Sequence, residues 1–152
     1  MTKEDTNQMI NTEKTMEAMK DSMIGWAMKY VGRKDYVGWC LSFVEDAVEQ
    51  SNGIEIFGGD SAKESYLLYR DALHTGVPEH GSVVFYDCLC HTPEGVMDWG
   101  HCGIALEDGR AIHAWDRVRI DPYREIENLS AFGEHPVYLG WVTLERILAQ
   151  KP

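Results

Sequence analysis

The sequence contains no long hydrophobic run, no internal repeat and no low-complexity tract. No stretch approaches the roughly 18 apolar residues that a membrane-spanning helix needs, so we expect no membrane insertion. The polar N-terminus also lacks the basic start and apolar middle of a secretory signal. We therefore expect a cytoplasmic protein, a chain already trimmed, or one released by lysis or specialised secretion.

Positive charge is scarce. The chain has 14 Lys and Arg against 25 Asp and Glu, which gives a formal net charge of -11. Nucleic acids and anionic membrane surfaces attract clustered Lys and Arg, so we expect neither as a partner. The charge suits neutral or cationic substrates, and the sequence leaves the oligomeric state open.

Cysteine is too infrequent for a disulfide scaffold in a chain of 152 residues. A chain of this length forms one domain and buries a core without covalent staples. We predict a flexible polar arm over residues 1–13 and a single domain over 14–152. The four cysteines are Cys40, Cys88, Cys90 and Cys102.

Helical patterns precede strand patterns along the chain. Apolar residues at helical spacing predict helices over 14–31 and 40–50, and Ser61 with Glu64 forms a capping box that begins a third. The remaining elements are strands over 82–87, 102–107, 111–115, 118–120 and 136–142, and a short helix over 143–149. This order predicts an α+β fold with N-terminal helices packed on an antiparallel sheet.

Cys40 lies where a loop ends and the second helix begins. The partial positive charge of a helix N-terminus favours a thiolate, which is the nucleophilic form of cysteine. Buried and inert cysteines are also common at helix starts. The position of Cys40 alone therefore leaves both interpretations open.

Two histidines flank a predicted hairpin. His101 opens one strand, His113 lies on the returning strand, and Asp108-Gly109 forms the turn. An antiparallel hairpin can place such residues side by side on one face, where one imidazole orients the other. The pattern predicts a nucleophile, a base and an orienting group: Cys40, His101 and His113. The alternative is a pair of unrelated strand histidines.

The segment from about Trp26 to Trp141 resembles the NlpC/P60 cysteine peptidases. The resemblance rests on Trp39-Cys40-Leu41-Ser42-Phe43-Val44, Gly81-Ser82-Val83-Val84-Phe85-Tyr86, Gly100-His101-Cys102-Gly103-Ile104-Ala105-Leu106 and Ala111-Ile112-His113-Ala114. It implies a papain-like fold, a Cys-His-His triad without a cofactor or metal, and cleavage of peptide or amide bonds in peptidoglycan stem peptides, as in cell-wall endopeptidases or phage-type lysins.

The nucleophile segment departs from this family, which usually has Asp-Cys-Ser-Gly where this chain has Trp39 and Leu41 around the cysteine. It also resembles the related CHAP amidases, although His113 in the third position favours NlpC/P60. The resemblance implies that a Tyr before the nucleophile lies near the oxyanion. Candidate oxyanion or substrate-binding residues are Tyr36, Trp39, Ser42 and Trp99, and aromatic packing is the alternative for Tyr36.

Other interpretations stay open. Cys88, Cys90, His91 and Cys102 include soft zinc ligands, but their spacing matches no established zinc motif. We predict no metal site and an insertion-like loop over 89–99 that shapes specificity. An amidase, deamidase or acyltransferase of the same fold acting inside the cell is one rival function, and an inactive binding module is the other.

We expect Cys40 to react faster with iodoacetamide near neutral pH than the other three cysteines, because a helix N-terminus and an imidazolium both favour its thiolate. Mass spectrometry of peptides after limited alkylation measures the order of labelling. Preferential labelling of Cys88, Cys90 or Cys102 would refute the assignment of the nucleophile.

Overall fold

A computed structural model describes residues 2–149 of the chain. Along these residues, three α-helices precede the strands of a central sheet and a fourth follows them. The helices are α1 (Lys3–Met28), α2 (Cys40–Asn52), α3 (Ala62–Tyr69) and α4 (Leu144–Leu148). None of the helices in this described part is both long and apolar enough to cross a membrane.

Helix α1 begins earlier than the apolar spacing predicts. It starts at Lys3, whereas apolar periodicity begins near Lys14, so its first turns run through the segment expected to be an arm. Residues 3–13 contain neither Pro nor Gly, the two residues that oppose helix formation most strongly. The spacing of apolar residues identifies the part of a helix that is buried, but it does not reveal a polar extension of the same helix. The division into an arm and a domain stays a prediction.

In the part of the chain that the structure describes, seven strands form two sheets. The central sheet has the order β6-β5-β4-β1-β7 with antiparallel neighbours, and β2 and β3 form a separate hairpin. The strands are β1 (Val83–Asp87), β2 (Leu89–Thr92), β3 (Gly95–Asp98), β4 (His101–Ala105), β5 (Arg110–Ala114), β6 (Val118–Pro122) and β7 (Val137–Val142). Helices that precede an antiparallel sheet are the α+β arrangement that the sequence predicts.

Both faces of the central sheet are covered. Alternate residues of β1, β4 and β5, among them Phe85, Ile104 and Ile112, pack with α1 and α2 in the larger core. The opposite alternation points to a smaller core around Ile126, which lies in a 3-10 turn between β6 and β7. His101 and His113 follow this second alternation, so they share the sheet face turned away from the helices.

Helix α2 carries the predicted apolar face. The side chains buried against the sheet and α1 are Leu41, Phe43, Val44, Ala47 and Val48. Gly53 ends the helix in a left-handed conformation (φ 63°), and its N–H donates to the carbonyl of Glu49 at 2.9 Å. Burial of this face fixes where the helix N-terminus meets the sheet.

The segment that we expected to be a loop over 89–99 is instead the β2–β3 hairpin. Thr92 Oγ1 donates to the carbonyl of Gly95 at 2.7 Å and accepts from the N–H of Glu94 at 3.2 Å, which closes the turn. Gly95 has φ 120°, a value that favours glycine. The sequence analysis missed these strands because exposed strands lack a strong hydrophobic alternation. The turn Thr-Pro-Glu-Gly was the signal that could have identified the hairpin.

Gly103 of β4 lies close against the neighbouring strand β5. A Cβ on this residue would lie 2.9 Å from His113 Cβ and 2.9 Å from the carbonyl oxygen of Ile112. No larger residue fits unless one of the two strands moves. Glycine at this position therefore sets the distance between the strands that carry the histidines.

We expect Gly103→Ala to lower the free energy of unfolding by about 1–3 kcal/mol, the usual cost of overpacking a buried position. Gly25→Ala is the matched control, because Gly25 lies within α1 and a Cβ there meets no heavy atom within 4 Å. That change should be neutral or stabilising by roughly 0.5–1 kcal/mol. Urea denaturation measures both, and equal stabilities of the two variants would contradict the steric argument.

Candidate active site

Cys40 is the first residue of α2, and nothing caps the helix start there. The preceding residue, Trp39, makes no side-chain capping hydrogen bond, and the first turn contains no acidic residue. The partial positive charge of this helix end is therefore not neutralised by a neighbouring carboxylate of that turn. Cys40 itself is partly buried against the larger core.

The pKa of Cys40 lies well below its usual range, first because the Cys102 thiol donates a hydrogen bond to its sulfur. The hydrogen bond with His101 and the positive charge of that imidazole lower it further. Burial and the neighbouring Cys40 raise the pKa of Cys102 well above its usual range. Two adjacent thiols do not both ionise readily, and the helix end and His101 favour Cys40 as the thiolate.

The two histidines that the hairpin spacing predicts to be neighbours are in direct contact. His101 Nε2 lies 2.8 Å from His113 Nδ1, and the rings meet edge to face with centroids 4.9 Å apart. Both side chains are buried, His113 completely. Because Nε2 of His101 is engaged by His113, Nδ1 is the ring nitrogen left to face Cys40.

Asp121 and Arg119 extend the hydrogen-bonded pair of histidines toward the surface. His113 Nε2 lies 2.8 Å from Asp121 Oδ2. Arg119 donates from Nε to Asp121 Oδ2 at 2.8 Å and from Nη2 to Oδ1 at 3.2 Å. Sequence reasoning missed Asp121, since the strand predicted over 118–120 ended at Ile120, one residue before it. The alternation of Arg119 and Asp121 on one strand, next to the His113 strand, was the available signal.

The pKa values of both His113 and Asp121 are lowered, each for a different reason. Burial lowers the pKa of His113 to about 4, although Asp121 acts against that shift. The hydrogen bond from His113, followed by that from Arg119, lowers the pKa of Asp121 to about 2. His113 is therefore neutral and Asp121 ionised at neutral pH.

Aromatic rings surround His101. The half-buried Trp115 meets its imidazole edge to face with centroids 5.1 Å apart, and buried Tyr86 lies at 5.9 Å. The Tyr86 hydroxyl donates to the carbonyl of Tyr123 at 2.7 Å. These contacts restrict the rotation of the imidazole and exclude water from its faces.

The predicted oxyanion and substrate-binding residues lie in different environments. Tyr36 packs edge to face on Phe43, and its hydroxyl donates to Asp46 Oδ2 at 2.6 Å, so its contacts favour a packing role. Trp39, which directly precedes Cys40, and Trp99, two residues before His101, are exposed at 65% and 43% of their surface. Ser42 is half-buried in the first turn of α2. Their roles stay predictions.

The cysteines near the hairpin do not form a cluster with His91. The Cys88 thiol donates weakly to the carbonyl of Leu89 at 3.9 Å, whereas His91 Nε2 lies 3.3 Å from Glu134 on the far side of the hairpin. Within residues 2–149, one group of three side chains has ligand atoms within 4.8 Å of one another: Glu17, Asp21 and His80.

The base of the β2–β3 hairpin is tied to the strand that begins with His101. Asp98 Oδ1 accepts from the N–H groups of Cys88 and Gly100, each at 2.9 Å. Lys63 of α3 lies between Asp87 (2.7 Å) and Asp98 (3.1 Å). These contacts join both ends of the hairpin to α3, next to the site.

Comparison with known proteins supports the fold. The structure is similar to the crystal structure of a Staphylococcus aureus protein described as similar to a lipoprotein of the NLP/P60 family, with a TM-score of 0.54 and 17% sequence identity. The match covers 84% of this chain and 41% of that chain, so this chain spans less than half of its neighbour's length. No protein-family model and no curated protein matches the sequence. The predicted α+β fold of NlpC/P60 type is confirmed.

The lowered pKa of His113 makes stability depend on pH. The pKa of His113 is about 4 in the folded protein and 6.5 in the unfolded chain. Between about pH 4 and pH 6.5, the imidazole of residue 113 therefore binds more protons in the unfolded state than in the folded state. The free energy of unfolding should therefore fall as the pH decreases from about 6.5 to about 4, by at most about 1.4 kcal/mol per pH unit from this group. Urea titrations across that range measure the slope.

His113→Asn removes this titration, so its stability should decline less over the same pH range than that of the parent protein. The same change at exposed His135 controls for the loss of one imidazole. Parallel stability profiles for the parent and His113→Asn would contradict the assignment of a neutral, buried His113.

Proposed function

We propose that the protein is a cysteine hydrolase that cleaves peptide or amide bonds, with peptidoglycan stem peptides as the substrate class. The observation that carries the proposal is the set of contacts at one point of the fold: a thiol of lowered pKa at an uncapped helix start, beside a buried pair of hydrogen-bonded histidines. A thiolate paired with an imidazolium is the resting form of a nucleophilic cysteine.

The reaction proceeds in two stages. The Cys40 thiolate attacks the amide carbon, the C–N bond breaks, and His101 gives its Nδ1 proton to the departing amine. Water then attacks the thioester while His101 takes its proton, the acid product leaves, and the thiolate and imidazolium are restored. The backbone N–H of Cys40, at the start of α2, serves as a hydrogen-bond donor to the negative oxygen of the intermediates.

The surroundings of the site support a peptide substrate. Exposed Trp39 and Trp99 offer apolar surface beside the nucleophile and the base, where an extended chain can pack. The net charge of -11 favours neutral or cationic segments. Trp39 stands where the NlpC/P60 enzymes usually have an Asp that binds the substrate amine, so we expect a different preference at that subsite.

The decisive experiment is incubation with purified peptidoglycan, followed by mass spectrometry of the released fragments. We expect fragments cut within the stem peptide, and none from Cys40→Ala. Intact peptidoglycan together with a reactive Cys40 would point to an amidase, deamidase or acyltransferase with another substrate. An unreactive Cys40 would point to a binding module without catalysis.

Substitutions should rank the members of the triad. His101→Ala should lower kcat/KM by about 10²–10⁴-fold, since removal of a general base has this cost. Its combination with Cys40→Ala should cost little more than either change alone, because the two groups act as a unit. His113→Asn should retain more activity than His113→Ala, because an amide oxygen still accepts from His101. Equal activity of His113→Ala and the parent would remove His113 from the mechanism.

A further inference from the structure

The contact between β5 and β6 places an ion pair directly behind the second histidine. In the register of the two strands, Arg119 lies opposite His113 and Asp121 lies opposite Ala111. The three polar side chains occupy the same sheet face, since they alternate with buried apolar residues. Asp121 thereby reaches His113 Nε2 at 2.8 Å while Arg119 holds both of its carboxylate oxygens.

An imidazole as the third member of a triad poses a problem that an amide does not. Asn or Gln always has an oxygen that accepts a hydrogen bond, whereas neutral histidine exists as two tautomers with the proton on either ring nitrogen. Only the tautomer with a bare Nδ1 on His113 can accept from His101 Nε2. In the other tautomer, His113 would donate to His101 and force the proton of a neutral His101 onto Nδ1.

That second arrangement blocks general-base catalysis. His101 would then present an N–H toward Cys40, so it could not accept the thiol proton. The productive arrangement has the His101 proton on Nε2 and leaves Nδ1 to exchange a proton with Cys40. The tautomer of His113 therefore decides whether His101 can act as a base.

We propose that Asp121, held by Arg119, is a positioning residue that fixes the tautomers of both histidines and so makes His101 Nδ1 the base for Cys40. This inference rests on the proposed hydrolase function. An ionised carboxylate only accepts hydrogen bonds, so the single N–H of neutral His113 lies on Nε2 and donates to Asp121. Nδ1 then accepts from His101 Nε2.

The electrostatic environment supports this assignment. The charged and titratable groups that act on His113 are Asp121, His101 and Arg119. Arg119 is always protonated and donates to both oxygens of Asp121, which keeps that carboxylate ionised throughout the pH range in which histidines titrate. Both ion-pair partners are largely buried, with side chains exposed by 17% and 22%, so water competes weakly for these hydrogen bonds.

The test uses Asp121→Asn, which preserves shape but removes the charge and replaces one acceptor oxygen with a donor. Arg119 supplies only donors, so it competes with His113 for the single remaining oxygen. We expect kcat/KM to fall by roughly 10–100-fold, as for outer hydrogen-bond partners of functional histidines. Asp116→Asn is the matched control, because exposed Asp116 also bonds to Arg119, at 3.2 Å, while its other hydrogen bond comes from Arg117 and not from His113. It should stay within about twofold of the parent, as surface changes usually do.

A double-variant cycle separates positioning from a merely structural role. In a His113→Asn background there is no tautomer to select, so adding Asp121→Asn should change kcat/KM by less than about twofold. Equal losses in both backgrounds would overturn the proposal, as would an Asp121→Asn variant that behaves like the parent. Urea midpoints of each variant show whether a loss follows from unfolding.

Two measurements need no substrate and keep this inference separable from the proposed function. Nitrogen-15 spectra of the histidine rings should show N–H groups on Nε2 of both His101 and His113, and a proton on Nδ1 of His113 would overturn the assignment. The rate of Cys40 alkylation against pH should shift to higher pH in Asp121→Asn but not in Asp116→Asn. If these results hold while peptidoglycan stays intact, the proposed function fails and the tautomer assignment stands.

Discussion

The hydrogen bond between His101 and His113 is the interaction on which the site depends. It requires β4 and β5 to pair with little space between them, which Gly103 permits because a Cβ there would meet His113 at 2.9 Å. It also requires a neutral His113, and burial supplies this by lowering the pKa of that ring to about 4. The apolar face of α2 packs on the central sheet, and this packing holds Cys40, the first residue of that helix, near the two histidines.

Strand β4 reaches the Cys40 sulfur from two successive residues. His101 lies on one sheet face and Cys102 on the other, yet both lower the pKa of Cys40. The Cys40 thiolate is thus favoured by Cys102, which is buried in the core, as well as by the neighbouring imidazole of His101.

The sequence predicted those parts of the molecule that depend on periodicity and on turn residues. The apolar face of α2, its stop at Gly53, the Ser61 cap and the Asp108-Gly109 hairpin lie where these patterns indicate. Polar elements escaped prediction, because the first turns of α1 and the β2–β3 hairpin bury too little apolar surface to show a period. Asp121 escaped for another reason: an acid near a strand end looks like any surface charge until the register of β5 and β6 is known.

The closed base of the β2–β3 hairpin has a consequence for how such a site can diversify. Asp98 binds the backbone at both ends of the hairpin, and Lys63 ties it to α3. The base of the hairpin is therefore held by contacts that do not involve its tip. We expect that the tip can change in length and composition, in evolution or by loop grafting, while the strand that begins at His101 keeps its position.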